Sequence, residues 1–406
     1  MSTGAVIGLA GLDELVKAVL ARGFRVVGPT VRDGAVVLGP ITGVADMPMG
    51  WQDAQGPGWY HAAHTGESGL FNWAVGPQSP KAEFFPPRLT LWRAKPPEYQ
   101  VEEVADEAAP VALIGLRPCD MAALDVLGGV LDGPSASDPT YQARRRAAFL
   151  VVVECARPAS TCFCVSMGTG PGIGRGFDLA LTELIGRPGG GDGAVAEGAA
   201  GNGAEAGPGE PRYLARAGSE LGREVLAELH GRPPRAQDMA ERVSLLARAA
   251  SRMGRGVDTS GLAELLARNL GSPRWDEVAA RCLACGNCTA VCPTCFCANF
   301  EDSTDLEGTV SRRRTWASCS DLAHSYVHGG AVRASIKSRY RQWATHKFSW
   351  WWDQFGTSGC VGCGRCITWC PAGIDITEEL AALRASDGAL VPTTGEGQWE
   401  KSAIPN

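Results

Sequence analysis

Apolar positions recur along this chain at two periods, and the switches between them mark its elements. Leu12, Leu15, Val16, Val19 and Leu20 fall on one helical face, and Gly23 closes that helix. Residues 24–27 and 35–38 read as short strands on either side of a turn at Asp33-Gly34. Val111–Leu116 and Phe149–Val153 are unbroken aliphatic runs, the kind that fills a sheet covered on both faces. Residues 121–131 between them carry apolar side chains at helical spacing, so strand, helix and strand predict a βαβ unit. The pattern then lapses: 187–211 is Gly, Ala, Glu and Pro with almost nothing to bury, a flexible insertion. Helical spacing returns from Tyr213 to about Leu270, on Leu221, Val225, Leu226 and Leu229 and again on Val243, Leu245 and Leu246. Residues 322–352 read as largely helical, interrupted at Gly329-Gly330. A last helix, capped by Thr377 with Glu378 and Glu379 in its first turn, ends near Leu383.

The expected architecture is therefore an α/β N-terminal domain at 1–186, the insertion at 187–211 and a helical segment at 212–274. Two close-set cysteine runs, at 282–292 and 360–370, mark 275–385 as an α+β two-cluster ferredoxin-like module, and a tail at 386–406 completes the chain. At 406 residues, 45% hydrophobic and 20% charged, the composition is that of an ordinary globular chain. A net charge of −6 leaves no electrostatic footprint for nucleic acid. No stretch approaches the ~18 apolar residues of a spanning helix. The start, Met1-Ser-Thr-Gly, lacks the charged and apolar regions of a signal peptide. With 15 cysteines, eight of them in two tight runs, the expected location is a reducing cytoplasm.

Chemistry enters with those cysteines. Cys282, Cys285, Cys288 and Cys292, and again Cys360, Cys363, Cys366 and Cys370, follow C-x2-C-x2-C-x3-C-P, the ligand run of bacterial [4Fe–4S] ferredoxins. Zinc frameworks space their pairs more widely. In two-cluster proteins the fourth cysteine of each run crosses to the other cluster. One ligand set is then Cys282, Cys285, Cys288 and Cys370; the other is Cys360, Cys363, Cys366 and Cys292. Gly286 and Gly364 inside the runs let backbone N–H groups approach sulfur.

Cys119 and Cys155 each follow an expected parallel strand, and strand ends on one sheet edge converge. Cys162 and Cys164 lie just downstream, so these four are assigned to a third [4Fe–4S] cluster. Cys295, Cys297 and Cys319 remain. They form either a further metal site, with His324, Asp302 or a partner's cysteine as fourth ligand, or groups that tune a neighbouring cluster. Eight Arg or Lys stand against one Asp in 312–347, read either as a solvated helix face or as cations that favour cluster reduction or dock an acidic partner. His61, His64 and His346 show no ligand spacing and read as structural. The run Trp350-Trp351-Trp352 reads as packing that keeps water off a cluster, or as a subunit contact. No complete nucleotide-binding glycine fingerprint occurs, including at Gly168 to Gly176.

Several segments occur together in one family: Arg117-Pro-Cys-Asp-Met-Ala-Ala-Leu124, Cys162-Phe-Cys-Val-Ser-Met-Gly-Thr-Gly-Pro171, Gly176-Phe-Asp-Leu-Ala-Leu-Thr-Glu-Leu184, Cys285-Gly-Asn-Cys-Thr-Ala-Val-Cys-Pro-Thr-Cys-Phe-Cys297 and Gly362-Cys-Gly-Arg-Cys-Ile367. The chain resembles the iron–sulfur beta subunit of cytoplasmic NAD(P)-linked [NiFe] hydrogenases, the sulfhydrogenases. It is similar also to the electron-transfer subunit of anaerobic sirohaem sulfite reductases. The resemblance implies an electron relay between an NAD(P)H-oxidising flavoprotein and a catalytic partner, either the [NiFe] hydrogenase small and large subunits or a sirohaem protein. It implies low cluster potentials. A distant likeness of Pro118-Cys119 to deazaflavin-linked hydrogenase beta subunits supports Cys119 as a ligand. No flavin and no substrate chemistry are expected on this chain; a self-sufficient flavin-dependent reductase of sulfur compounds is the contrasting reading.

The crossed ligand sets have a direct test. Cys370→Ser is expected to abolish the EPR signal that Cys285→Ser abolishes. Loss of the signal that depends on Cys363 would reverse the assignment.

Overall fold

The unbroken apolar runs become the middle of a seven-stranded sheet. Its strands are β1 (Gly4–Ile7), β2 (Arg25–Arg32), β3 (Ala35–Pro40), β4 (Val111–Leu116), β5 (Phe149–Val153), β6 (Leu179–Ile185) and β7 (Pro211–Ala217). Their order is β1-β7-β6-β5-β4-β2-β3. β2, β4, β5 and β6 run parallel, whereas β1 and β3 at the edges and β7 pair antiparallel with their neighbours. The chain is a computed structural model that describes residues 4–104, 109–133, 136–185 and 210–387. The insertion up to residue 209 and the tail from residue 388 lie outside the described residues.

Every residue of β4 and β5 is buried, and the side chains alternate between two cores. Ile114, Phe149, Val151 and Val153 face Leu12, Leu15, Val16 and Val19 of helix α1 (Leu9–Ala21). Leu113, Leu150 and Val152 face Met121, Leu124 and Leu127 of α2 (Pro118–Leu131), the helix expected after β4. The β2–β3 turn forms where expected, with Asp33 and Gly34 both left-handed at φ 51° and 73°.

Tyr213, however, opens no helix. It lies in β7, between β1 and β6. Tyr213 and Ala215 enter one core and Leu214 another, flanked on its face by Arg212 and Arg216, which pair with Asp238 and Glu154; the apolar run is too short to show a period. Helices follow only from residue 220, at Glu220–Glu228, Ala236–Ser251 and Leu262–Arg268. Val243, expected on a buried stripe, is exposed.

The stretch between the cysteine runs also differs from expectation. It begins with a hairpin, Ala298–Thr304 with Val310–Trp316, whose second strand pairs with Arg88–Ala94 of the N-terminal region. Two regions distant in sequence thus share one sheet. Within 322–352, regular α-helix starts only at Ile336. Before it come a single tight helical turn and a two-stranded ribbon around Gly329 and Gly330, both at positive φ. The helix Ile336–Thr345 then passes through one wide turn, His346–Trp350, into Trp351–Phe355. The last helix, Ile376–Ala385, is capped by Asp375 rather than Thr377: the Asp375 carboxylate accepts the Thr377 N–H at 2.9 Å. Among the described residues no helix is long and apolar enough to cross a membrane.

Ile114 is fully buried at the sheet centre. Ile114→Ala is expected to lower unfolding stability by about 2–5 kcal/mol, measured from the denaturant midpoint.

Candidate metal centres

The two cysteine runs adopt the same backbone path. Ala284 and Gly286 in the first, and Gly362 and Gly364 in the second, take φ values of 50°, 78°, 67° and 76°. In each run the N–H two residues on donates to the first sulfur at 3.4 Å: Ala284 to Cys282 and Gly362 to Cys360. These left-handed steps curl the loop so that its first three sulfurs turn to one side. Cys282, Cys285, Cys288 and Cys370 line one cavity, roofed by Tyr340 and Trp343. Cys360, Cys363, Cys366 and Cys292 line a second, beside Lys347 and Phe348. The fourth cysteine of each run thus faces the cavity of the other run, and Cys366 borders both.

A third cavity sits at the edge of the parallel strands. Cys119, Cys155, Cys162 and Cys164 line it together, with Cys363 of the second run on the same wall. Polar groups at the strand ends fix these loops. After β4, Arg117 donates to the carbonyls of Phe71 (2.9 Å) and Trp73 (2.5 Å) and lies 4.4 Å from the Trp73 ring. The Arg117 N–H is accepted by Asp120 at 3.0 Å, which starts α2 and sets Cys119 in its first turn. After β5, the buried Glu154 carboxylate accepts from Thr182, Arg216, Arg242 and the Ile173 N–H at 2.6–3.2 Å and anchors the neighbouring Cys155. Burial pushes this carboxyl up, but those donors outweigh it and hold it below its usual range.

The second and third cavities adjoin because two backbones touch. A Cβ on Gly364 would stand 2.4 Å from the Thr161 carbonyl oxygen, and one on Gly362 2.6 Å from that of Phe163. Phe163 N–H donates to the Gly362 carbonyl at 2.8 Å, and Thr161 and Thr368 hydroxyls meet at 2.9 Å. Arg365, also buried, crosses the same junction to Asp120 at 2.8 Å and to the Gly76 carbonyl at 2.9 Å. Burial opposes its charge, yet Asp120 and the nearby thiols outweigh that and keep the guanidinium protonated.

Burial pushes the thiols of Cys164, Cys288 and Cys360 up to about 12 and raises Cys119, Cys155, Cys162, Cys282, Cys363 and Cys366. Without a cation such thiols stay protonated; bound iron supplies the charge that makes them thiolates, with release of protons. Among the described residues no three Cys, His, Asp or Glu side chains converge on a point fit for one ion. The sulfurs stand around cavities instead, and all-sulfur donors spread in this way suit a polynuclear iron–sulfur group better than zinc.

Cys295, Cys297 and Cys319 lie apart from these three cavities. Asp302 is no partner for them, because it sits on the exposed hairpin and pairs bidentately with Arg312. His324 stands close enough to Cys297 to act on its charge. Trp351 is buried against Phe296 and Lys347, whereas Trp352 is half exposed. As individuals, Lys81, Lys347 and Arg365 carry no signal in the sequence. All three are buried at sulfur sites, and only the excess of cations in 312–347 hints at one of them.

Residues 281–374 match the family of 4Fe-4S dicluster domains. Sulfhydrogenase 2 subunit beta of Pyrococcus furiosus is 32% identical over 311 residues, covering 75% of this chain and 82% of that protein. The chain belongs to the sulfhydrogenase beta-subunit family. No solved structure matches it. The matched region, 281–374, contains both cysteine runs and the hairpin between them.

The junction is testable. At Gly364 a side chain would meet both the left-handed backbone, costing about 1–2 kcal/mol, and the Thr161 carbonyl. Gly364→Ala is expected to lower the denaturation midpoint and the iron retained per chain. Gly129→Ala, with open space around the new Cβ, is expected to do neither.

Proposed function

We propose that this chain is the electron-relay subunit of an NAD(P)-linked hydrogenase complex in the cytoplasm. It stands between an NAD(P)H-oxidising flavoprotein and the [NiFe] small and large subunits. The observation that carries the reading is the series of three cysteine-lined cavities with shared walls, Cys363 between the sheet-edge and middle ones, and Cys366 with Trp343 and Ile376 between the middle and outer ones. The relative's name, sulfhydrogenase, favours the hydrogenase partner.

In this reading the ligands are Cys282, Cys285, Cys288 and Cys370 for one [4Fe–4S] cluster, and Cys360, Cys363, Cys366 and Cys292 for the second. Cys119, Cys155, Cys162 and Cys164 hold the third. Bound clusters supply one-electron redox chemistry; the residues of this chain supply spacing, dryness and charge. Tyr340, Trp343 and Phe348 exclude water from the cavity walls. Lys347 and Arg365 place buried positive charge beside the middle cavity, which favours reduction of an anionic group there. At the outer cavity Cys285 is exposed and Leu283 is 66% exposed, an open end suited to exchange with another protein of the complex.

The test is anaerobic purification of the tagged chain from its native cells. The reading expects a brown complex that contains nickel and a flavoprotein, with iron–sulfur absorbance on this chain that bleaches under H2 and under NAD(P)H. A colourless, iron-free yet folded chain contradicts it. Co-purification with a sirohaem protein and no nickel rejects the hydrogenase partner.

A further inference from the structure

A buried tyrosine beside the outer cavity carries a hydroxyl with no acceptor. The helix Ile336–Thr345 presents Tyr340 and Trp343, three residues apart, on one face, and both line the cavity of Cys282, Cys285, Cys288 and Cys370. Their rings lie 5.4 Å apart, and the Trp275 ring stands 6.4 Å from that of Tyr340. Arg341 ties the helix down by donating to the Leu270 carbonyl at 2.6 Å, and Lys337 pairs with Asp276 at 2.8 Å.

Tyr340 is 7% exposed, and among the described residues its hydroxyl oxygen is buried without a hydrogen-bond partner. A phenol is a donor at neutral pH and needs an acceptor once it leaves water. Buried hydroxyls are for that reason almost all paired in folded proteins. Apart from burial, the groups that act on this hydroxyl are the Glu379 carboxylate and the thiols of Cys288, Cys366 and Cys282. Glu379 accepts from Arg274 and Arg281 and makes no bond to Tyr340. That leaves sulfur. Trp343 Nε1 is buried and unpartnered too, but Trp343 stands on the wall shared with the middle cavity, whereas Tyr340 lines the outer one only.

We propose that the Tyr340 hydroxyl donates a hydrogen bond to a sulfur of the outer cage and so raises the potential of the cluster held there. Reduction adds negative charge to the sulfurs, and a hydrogen bond to a charged acceptor is the stronger one, so the donor favours the reduced state. The ring of Tyr340 keeps water out; its hydroxyl sets the potential. The proposal rests on the reading of this chain as an iron–sulfur relay, and one titration separates the two.

That titration is EPR-monitored reduction of the anaerobically reconstituted full chain, wild type against Tyr340→Phe, which removes the hydroxyl and keeps the ring. The midpoint of the signal dependent on Cys285 is expected to fall, its reduction equilibrium dropping on the order of tenfold, about 59 mV for one electron. Iron content and the midpoints of the signals dependent on Cys363 and Cys119 are expected to stay where they are. An unmoved Cys285-dependent midpoint at full iron content, or an equal shift of all three signals, overturns the hydrogen bond and leaves the relay intact. A wild-type chain without cluster signals overturns the relay itself. Should the variant lose the outer cluster, fluorine ENDOR of the wild-type sequence grown on tyrosine fluorinated beside the hydroxyl decides, since Tyr340 is the tyrosine that lines this cavity. Fluorine coupling to the outer cluster supports the bond, and its absence overturns it.

Discussion

Thiols removed from water are the constraint around which this molecule is organised. A buried Cys is inert as a protonated thiol and costly as a bare thiolate, so each cage is complete only with a cation in reach. Cys288, Cys360 and Cys164 show this in their upward shifts to about 12. Cys292 shows the reverse: a hydrogen bond from Cys295, with Lys347 beside it, outweighs burial and lowers it well below its ordinary value. Lys347 lines the middle cage and neither of the other two, so the cages differ in local charge before any metal is considered, which gives one fold the means to set different potentials with the same ligand type.

Distance is controlled as tightly as charge. The second run is pressed on the Thr161 to Cys164 loop because Gly362 and Gly364 have no side chains and Arg365 reaches Asp120 through the contact. Cys119, Cys164 and Cys363 consequently share one packed apolar group. At the far side of the dicluster region, the buried Glu379 carboxylate accepts from Arg274 and Arg281, tying the last helix to the one that leads into Cys282. Rigid neighbours on both sides are what electron transfer between fixed carriers requires, since no moving part has to deliver anything.

The cysteine runs and the sheet core are legible in the sequence because they depend on local spacing and on unbroken apolar stretches. Cys119 and Cys155 fall on one edge by virtue of the strands before them, as β4 and β5 are adjacent and parallel. What stays hidden depends on long-range contacts. β7 reads as helical because its apolar core, Tyr213-Leu214-Ala215, is only three residues long, and its place is set by pairing with β1 and β6, both beyond the reach of local spacing. The hairpin after Cys297 gains its place from pairing with Arg88–Ala94, some two hundred residues earlier in the chain. The cation-rich stretch reads as one feature, yet its members diverge: Arg312 pairs with Asp302, Arg314 with Asp138, Lys337 with Asp276, and Lys347 is buried among sulfurs. Charge counts along a sequence cannot separate such roles.

Adjacency of the cages is the central claim, and magnetic coupling tests it most directly. EPR of the fully reduced chain, compared with spectra at partial reduction, should show signals split and fast-relaxing through spin–spin interaction between neighbouring clusters. A fully reduced spectrum equal to the plain sum of isolated, slowly relaxing clusters would contradict the account.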